Sequence, residues 1–239
     1  METYVVRLWL PDRPGALGQV ASRIGSVRGD VVGIDILETG NGQAVDELVV
    51  QLPDPSVVDL LVHEIGQVDG VKVEEIRSLG SGGHDPRLDA LETAAILVGA
   101  SSPTELLEAV CEHAGRSLAA DWVAVVELAT GEIREGSSDA PSPEWLGAFL
   151  LGSRTAANLS GFDTGCDDVA WAPLPGAGLA LVVGRGGTAY RARERRQLAA
   201  IARIVDTRFR ELVGRAHRNH PSAVADDDLS GHVPEGDRL

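Results

Sequence analysis

Cysteine is scarce: Cys111 and Cys166 are the only two in 239 residues. Two thiols cannot build a disulfide framework, and they are too few for a cysteine-based zinc site. Lysine is scarcer still. Lys72 stands alone, and arginine supplies the rest of the 21 basic residues. Against 36 acidic residues this leaves a formal net charge of −15, which excludes general binding to nucleic acid or to an anionic membrane surface. No apolar run approaches the ~20 residues of a spanning helix. The N-terminus lacks a signal-peptide pattern, so a cytoplasmic location is expected.

Catalytic signatures are also missing. There is no G-x-S-x-G elbow, no Ser-x-x-Lys and no paired Cys and His signature. Gly184-Arg185-Gly186-Gly187 lacks the Lys-Ser/Thr of a phosphate loop and the full G-x-G-x-x-G spacing, and reads as a strand-to-helix turn. Three sets could ligate a metal: Cys111 with His113, His217 with His220, and Asp163 with Asp167-Asp168. Cys111 falls on an apolar helix face while its i+2 neighbour points elsewhere. The two histidines fall in a polar tail, and the aspartates lack the spacing of a calcium loop. No catalytic residue, metal or cofactor is expected.

What is present begins at the N-terminus. A strand-like run, Tyr4 to Leu10, leads into Asp12-Arg13-Pro14-Gly15-Ala16-Leu17. Pro14 suits the first turn of a helix, and Leu17, Val20, Ala21 and Ile24 then fall on one helical face. A helix N-terminus at the end of a strand offers N–H groups to an anion. Val31 to Leu37 alternates with Val32, Ile34 and Ile36 on one face. Asn41-Gly42 signals a hairpin, and Gln43 to Leu52 reads as its return. Val58, Leu61, Val62 and Ile65 mark a second helix, and Val71 to Arg77 a last strand. The order β-α-β-β-α-β is the ferredoxin-like, split-βαβ arrangement.

Residues 3–79 resemble an ACT domain, on Asp12-Arg13-Pro14-Gly15-Ala16-Leu17 after the first strand and Gly29-Asp30-Val31-Val32-Gly33-Ile34 entering the second. The resemblance implies an amino acid bound at a paired-domain interface, by the loop at Asp12, Arg13, Pro14, Gly15, Ala16 and Leu17 and by the start of the second strand, Asp30 and Val31. The family often carries Asn where this chain has Asp30. Asp12 and Asp30 suit a ligand ammonium and would repel its carboxylate, which the helix N–H groups must outweigh.

After a linker of Gly, Ser and Pro composition at 80–86, a second domain spans 87–215. Leu88, Leu91, Ala95 and Val98 lie at helical spacing. Ser101-Ser102-Pro103-Thr104-Glu105 opens a helix that lines up Leu106, Leu107, Val110, Cys111, Ala114 and Leu118. Strands follow at 121–127 and 132–135, a helix at 143–159, strands at 168–174 and 178–184, and a helix at 190–213 with Leu198, Ile201, Val205, Phe209 and Leu212 on one stripe. This order resembles a GAF domain, on Asp168 to Leu174, Leu179 to Arg185 and Arg191 to Val205. That resemblance implies a signalling, dimerisation or relay unit. Arg191, Arg193, Arg195 and Arg196 form the one basic patch, suited to a phosphate-bearing ligand, an acidic partner surface or plain solvation. Residues 216–239 are polar and acidic, and are expected to be disordered.

The sequence therefore reads as α+β: a ferredoxin-like βαββαβ ACT-like domain at 1–79 and a GAF-like antiparallel sheet with flanking helices. The residue usage is that of a GC-rich genome of actinobacterial type. The function expected is a non-enzymatic sensor that binds an amino acid or similar small molecule and acts as a homodimer. The alternative is a regulatory subunit that docks on a separate amino-acid-metabolism enzyme.

Overall fold

The computed structural model describes residues 1–80, 86–158 and 167–219. The first unit is β1 (Glu2–Pro11), α1 (Ala16–Ser26), β2 (Asp30–Gly40), β3 (Gln43–Leu52), α2 (Val58–Ile65) and β4 (Lys72–Gly80). Its antiparallel sheet runs β2-β3-β1-β4, the split-βαβ order. Side chains alternate between faces along a strand. Tyr4, Val6, Leu8 and Leu10 of β1 and Ala44, Leu48, Val50 and Leu52 of β3 therefore share one face, where Val20 and Ile24 of α1 and Leu61 and Ile65 of α2 cover them.

The second unit is α3 (Pro86–Gly99), α4 (Pro103–Ser117), β5 (Trp122–Glu127), β6 (Ile133–Gly136), α5 (Pro143–Asn158), β7 (Val169–Leu174), β8 (Leu179–Gly184) and α6 (Ala192–Asn219). Its antiparallel sheet runs β6-β5-β8-β7. Both faces are covered. Val123, Val125, Leu181 and Val183 meet α4 and α6, whereas Ala124, Val126, Ala180 and Val182 meet Leu146 and Leu150 of α5. Continuously apolar strands such as Leu179–Val183 follow from that double burial. The described residues thus form an α+β fold with two four-stranded antiparallel sheets.

Some local readings need correction, and two apolar stripes lie at the surface. Pro14 is not in the first helical turn. Gly15 caps α1 at φ 90°, a left-handed conformation suited to glycine, and Ala16 N–H donates to the Arg13 carbonyl to close the turn ahead of the helix. Val32, Ile34 and Ile36 are about half exposed, because β2 is an edge strand. The α3 stripe also faces outward, with Leu88, Leu91 and Val98 exposed and Leu97 buried instead. Gly80 ends β4, and α6 continues through Asn219, so residues 216–219 are helical. Cys166, Asp163, His220 and Asp226-Asp227-Asp228 lie outside the described residues.

Candidate functional site

The β1–α1 loop is fixed at both ends. Asp12 N–H donates to the Gly42 carbonyl (3.0 Å), tying the loop to the β2–β3 hairpin, and Gln19 N–H closes the first helical turn on the Gly15 carbonyl (3.1 Å). Ala16 is buried and Leu17 partly so, while Asp12, Arg13, Pro14 and Gly15 are exposed. No side chain caps α1, and its first turn carries no acidic residue. The N–H groups of that first turn therefore have no side-chain acceptor.

Asp30 and Val31 are elsewhere. Asp30 pairs with Gln51, whereas the loop end of β1 pairs with Gln43. Eight residues of β3 separate those positions, about 26 Å at the usual strand rise. One chain brings Asp12 to Leu17 together and leaves Asp30 and Val31 at the opposite end of the sheet.

Asp46 was not singled out from the sequence, and it is the unusual group near this loop. It is 3% exposed, and its Oδ1 has no hydrogen-bond partner. Burial, and then the charge of Asp12, push its carboxyl above the ordinary aspartate range. The signal lies in β3's own period: the inward positions read Ala44, Asp46, Leu48, Val50 and Leu52.

The opposite face of the first sheet meets the second unit through charge. Arg7, 1% exposed, donates to Glu47 Oε1 (2.8 Å), to Glu194 Oε1 (2.9 Å) and to the Ala189 carbonyl (3.2 Å). Arg185 reaches the same Glu194 oxygen (2.8 Å) and donates to the carbonyls of Leu118, Thr188 and Ala189. Glu194 Oε2 accepts from the Arg191 N–H (2.8 Å), as an acidic N3 residue does in a capping box. Burial alone would push the Glu194 carboxyl up. Hydrogen bonding to Arg185 and the charges of Arg7 and Arg185 outweigh that and hold it below the usual glutamate range. Arg191 also lies over the Trp9 ring at 4.6 Å and pairs with Glu74, and Arg193 pairs with Asp35. Three of the four arginines of the basic patch read from the sequence thus meet carboxylates of the same chain, Arg195 reaching Asp167 at 4.0 Å.

The second unit holds a groove of about 210 Å³ lined by Leu107, Glu127, Arg134 and Phe209, among others. Cys111 is partly buried against the core, and burial, with Glu135 adding to it, raises its thiol to about 12. No group of three or more His, Cys, Asp or Glu side chains could hold a metal ion among the described residues. No described helix is long and apolar enough to cross a membrane.

No family model matches the chain, and none of the curated proteins compared with it does. Among solved structures, the chain is similar to the ACT domain of a GTP pyrophosphokinase from Chlorobium tepidum, at 16% identity over 33% of this chain and 100% of that one, with a TM-score of 0.27. It is similar to an ACT domain protein from Streptococcus pneumoniae, at 19% identity over 32% of this chain and 89% of that one, with a TM-score of 0.28. It is also similar to an unknown protein from Galdieria sulphuraria, at 12% identity over 87% of this chain and 93% of that one, with a TM-score of 0.29. The split-βαβ assignment rests on the strand order itself.

Proposed function

We propose that this chain is a non-enzymatic regulatory protein whose first unit, of ACT type, binds an amino acid or similar zwitterion between two copies of the chain. The second unit, of GAF type, relays the binding event or holds the dimer. The observation that carries the reading is the uncapped N-terminus of α1, held at the mouth of a βαββαβ unit beside an exposed apolar edge strand.

The edge strand supports a two-fold arrangement. Antiparallel pairing of β2 with its copy about Asp35 sets residue 30 of one copy opposite residue 40 of the other. Gly40 pairs with Gln43 at the hairpin that holds Asp12. Asp30 of one copy then approaches the Asp12–Leu17 loop of the other, across the 26 Å that separates them in one chain. Val32, Ile34 and Ile36 supply apolar contact along the pairing, and an unpaired apolar edge is a template for such addition. Arg191 and Arg193 neutralise Glu38 and Asp35 on that strand, which lowers the repulsion between two acidic edges.

The test is a thermal-shift screen of the full chain against the twenty L-amino acids. A ligand at about 100 times its dissociation constant adds about 2.7 kcal/mol to the unit that binds it. A hit that Asp30→Ala abolishes, without unfolding the protein, is the result expected. Full binding by that variant removes Asp30 from the site. The absence of any hit refutes the amino-acid reading and directs the search to a protein partner.

A further inference from the structure

Asp46 stands where a core residue belongs. It is opposite Leu8 of β1 and Ile36 of β2, on the sheet face that α1 covers. Leu8 is fully buried, whereas Ile36 is about half exposed. The carboxylate therefore lies one strand in from an open apolar edge. Its Oδ1 is sealed from water and has no partner, and among the described residues no arginine, lysine or histidine is paired with it or with Asp12. A buried carboxylate without a partner is costly, and an inward leucine, as at position 48, would remove that cost. A group kept at such a cost points to a species that arrives later.

The surroundings define that species. Asp46 lies three residues along β3 from Gln43, which pairs with Pro11 at the start of the loop that carries Asp12. The uncapped N-terminus of α1 adjoins the same loop. An acidic floor and a positive helix end together match a compound that carries an ammonium and a carboxylate.

We propose that Asp46 is the seat of the ligand's ammonium group, with Asp12 at the mouth of the site and the ligand's carboxylate toward the α1 N–H groups. This rests on the amino-acid reading above and adds to it a residue and a requirement: the ligand must bear an unmodified, charged amine.

The experiment uses the full-length chain in calorimetric titration. Its probes are the twenty L-amino acids, the N-acetyl form of each binder, and ethylammonium at millimolar concentration. Asp46→Asn is expected to weaken an amino-acid binder about 100-fold or more, the scale of losing one side of a buried charge pair. N-acetylation is expected to do the same. The ligand-free Asp46→Asn protein is expected to melt at the wild-type temperature or above it, because the variant removes a buried charge. An amino acid that binds wild type and Asp46→Asn within about three-fold overturns the Asp46 seat and leaves the regulatory reading standing. If no amino acid binds but ethylammonium stabilises wild type and not Asp46→Asn, the seat stands and the amino-acid reading falls. If neither probe acts on wild type, both fall. A ligand-free Asp46→Asn protein that melts lower shows a structural carboxylate and overturns the proposal.

Discussion

Glu194→Gln tests whether the two units are joined by buried charge. Glu194 Oε1 accepts from Arg7 and Arg185, and Oε2 from the Arg191 N–H. Glutamine keeps the shape and removes the charge, but one carboxylate oxygen becomes an NH₂ group. In one rotamer that NH₂ faces two guanidinium donors, and in the other it faces the Arg191 N–H. Either orientation leaves donor against donor. Breaking a buried pair by removing one partner costs about 3–5 kcal/mol. Arg7 keeps Glu47, and Arg185 keeps three carbonyls, so the lower end, about 3 kcal/mol, is expected. In a chain of this size each kcal/mol moves the midpoint by about 2–4 °C, which gives a fall of about 6–12 °C by calorimetry. Glu112→Gln serves as the control, since the exposed Glu112–Arg116 pair contributes about 0.3–0.5 kcal/mol. The acid limb adds a second readout. The folded Glu194 carboxyl sits below its unfolded value, so its contribution is fully present above the ordinary glutamate range and is lost as pH falls through the folded value. Glu194→Gln should flatten the pH dependence of stability below about pH 4.5. A melting point within about 1 °C of wild type, or an unchanged acid limb, refutes a buried network that stabilises the fold.

Other consequences are direct. Gly184→Ala would drive a Cβ into the indole ring of Trp122. Trp122 packs edge-on against Trp145 at 6.2 Å, so a loss of about 1–3 kcal/mol should come with a changed near-ultraviolet circular dichroism signal; an unchanged spectrum argues against the close approach. Ile34→Glu puts a charge on the exposed apolar edge of β2 and should reduce self-association in analytical ultracentrifugation while leaving the unfolding free energy of the single chain within about 0.5 kcal/mol of wild type. In a Cys166→Ala background, the raised thiol of Cys111 should resist a disulfide reagent at pH 7.5 until urea unfolds the chain; rapid labelling of native protein would contradict its burial.

Local pattern made much of this fold legible. The bounds of β3 follow from Asn41-Gly42 on one side and Pro53 on the other, and the two helices of the first unit follow from spacing alone. Alternation in Val32, Ile34 and Ile36 marks a shared face but does not say that the strand lies at an edge, where that face stays exposed. Helical spacing in Leu88, Leu91 and Val98 marks a stripe without saying which way it points. Pro14 satisfied a positional rule that the left-handed Gly15 overrode. The network at Arg7 was illegible because its partner, Glu194, is 187 positions away, and no periodicity spans that distance. Asp46 was legible in principle, as a carboxylate on an inward position of an apolar strand. It was hidden by the neighbouring acidic Glu47, which makes the pair look like solvated surface.

Asp46 and Glu47 are adjacent in β3 and occupy opposite faces of the sheet. Asp46 lies under α1, where the ligand's ammonium is proposed to sit, and Glu47 holds Arg7 against Glu194 of the second unit. Leu8 and Arg7 repeat the arrangement on β1, the strand that pairs with β3 on one side and β4 on the other. A ligand shifts a conformational balance only by as much as its affinity differs between the two states. If Asp46 seats the ligand's ammonium, binding changes the charge directly behind the ion pairs that fasten the units. Coupling of this kind is reciprocal: if the ligand alters how tightly α6 sits on the first sheet, then loosening α6 must alter the ligand's affinity by the same factor.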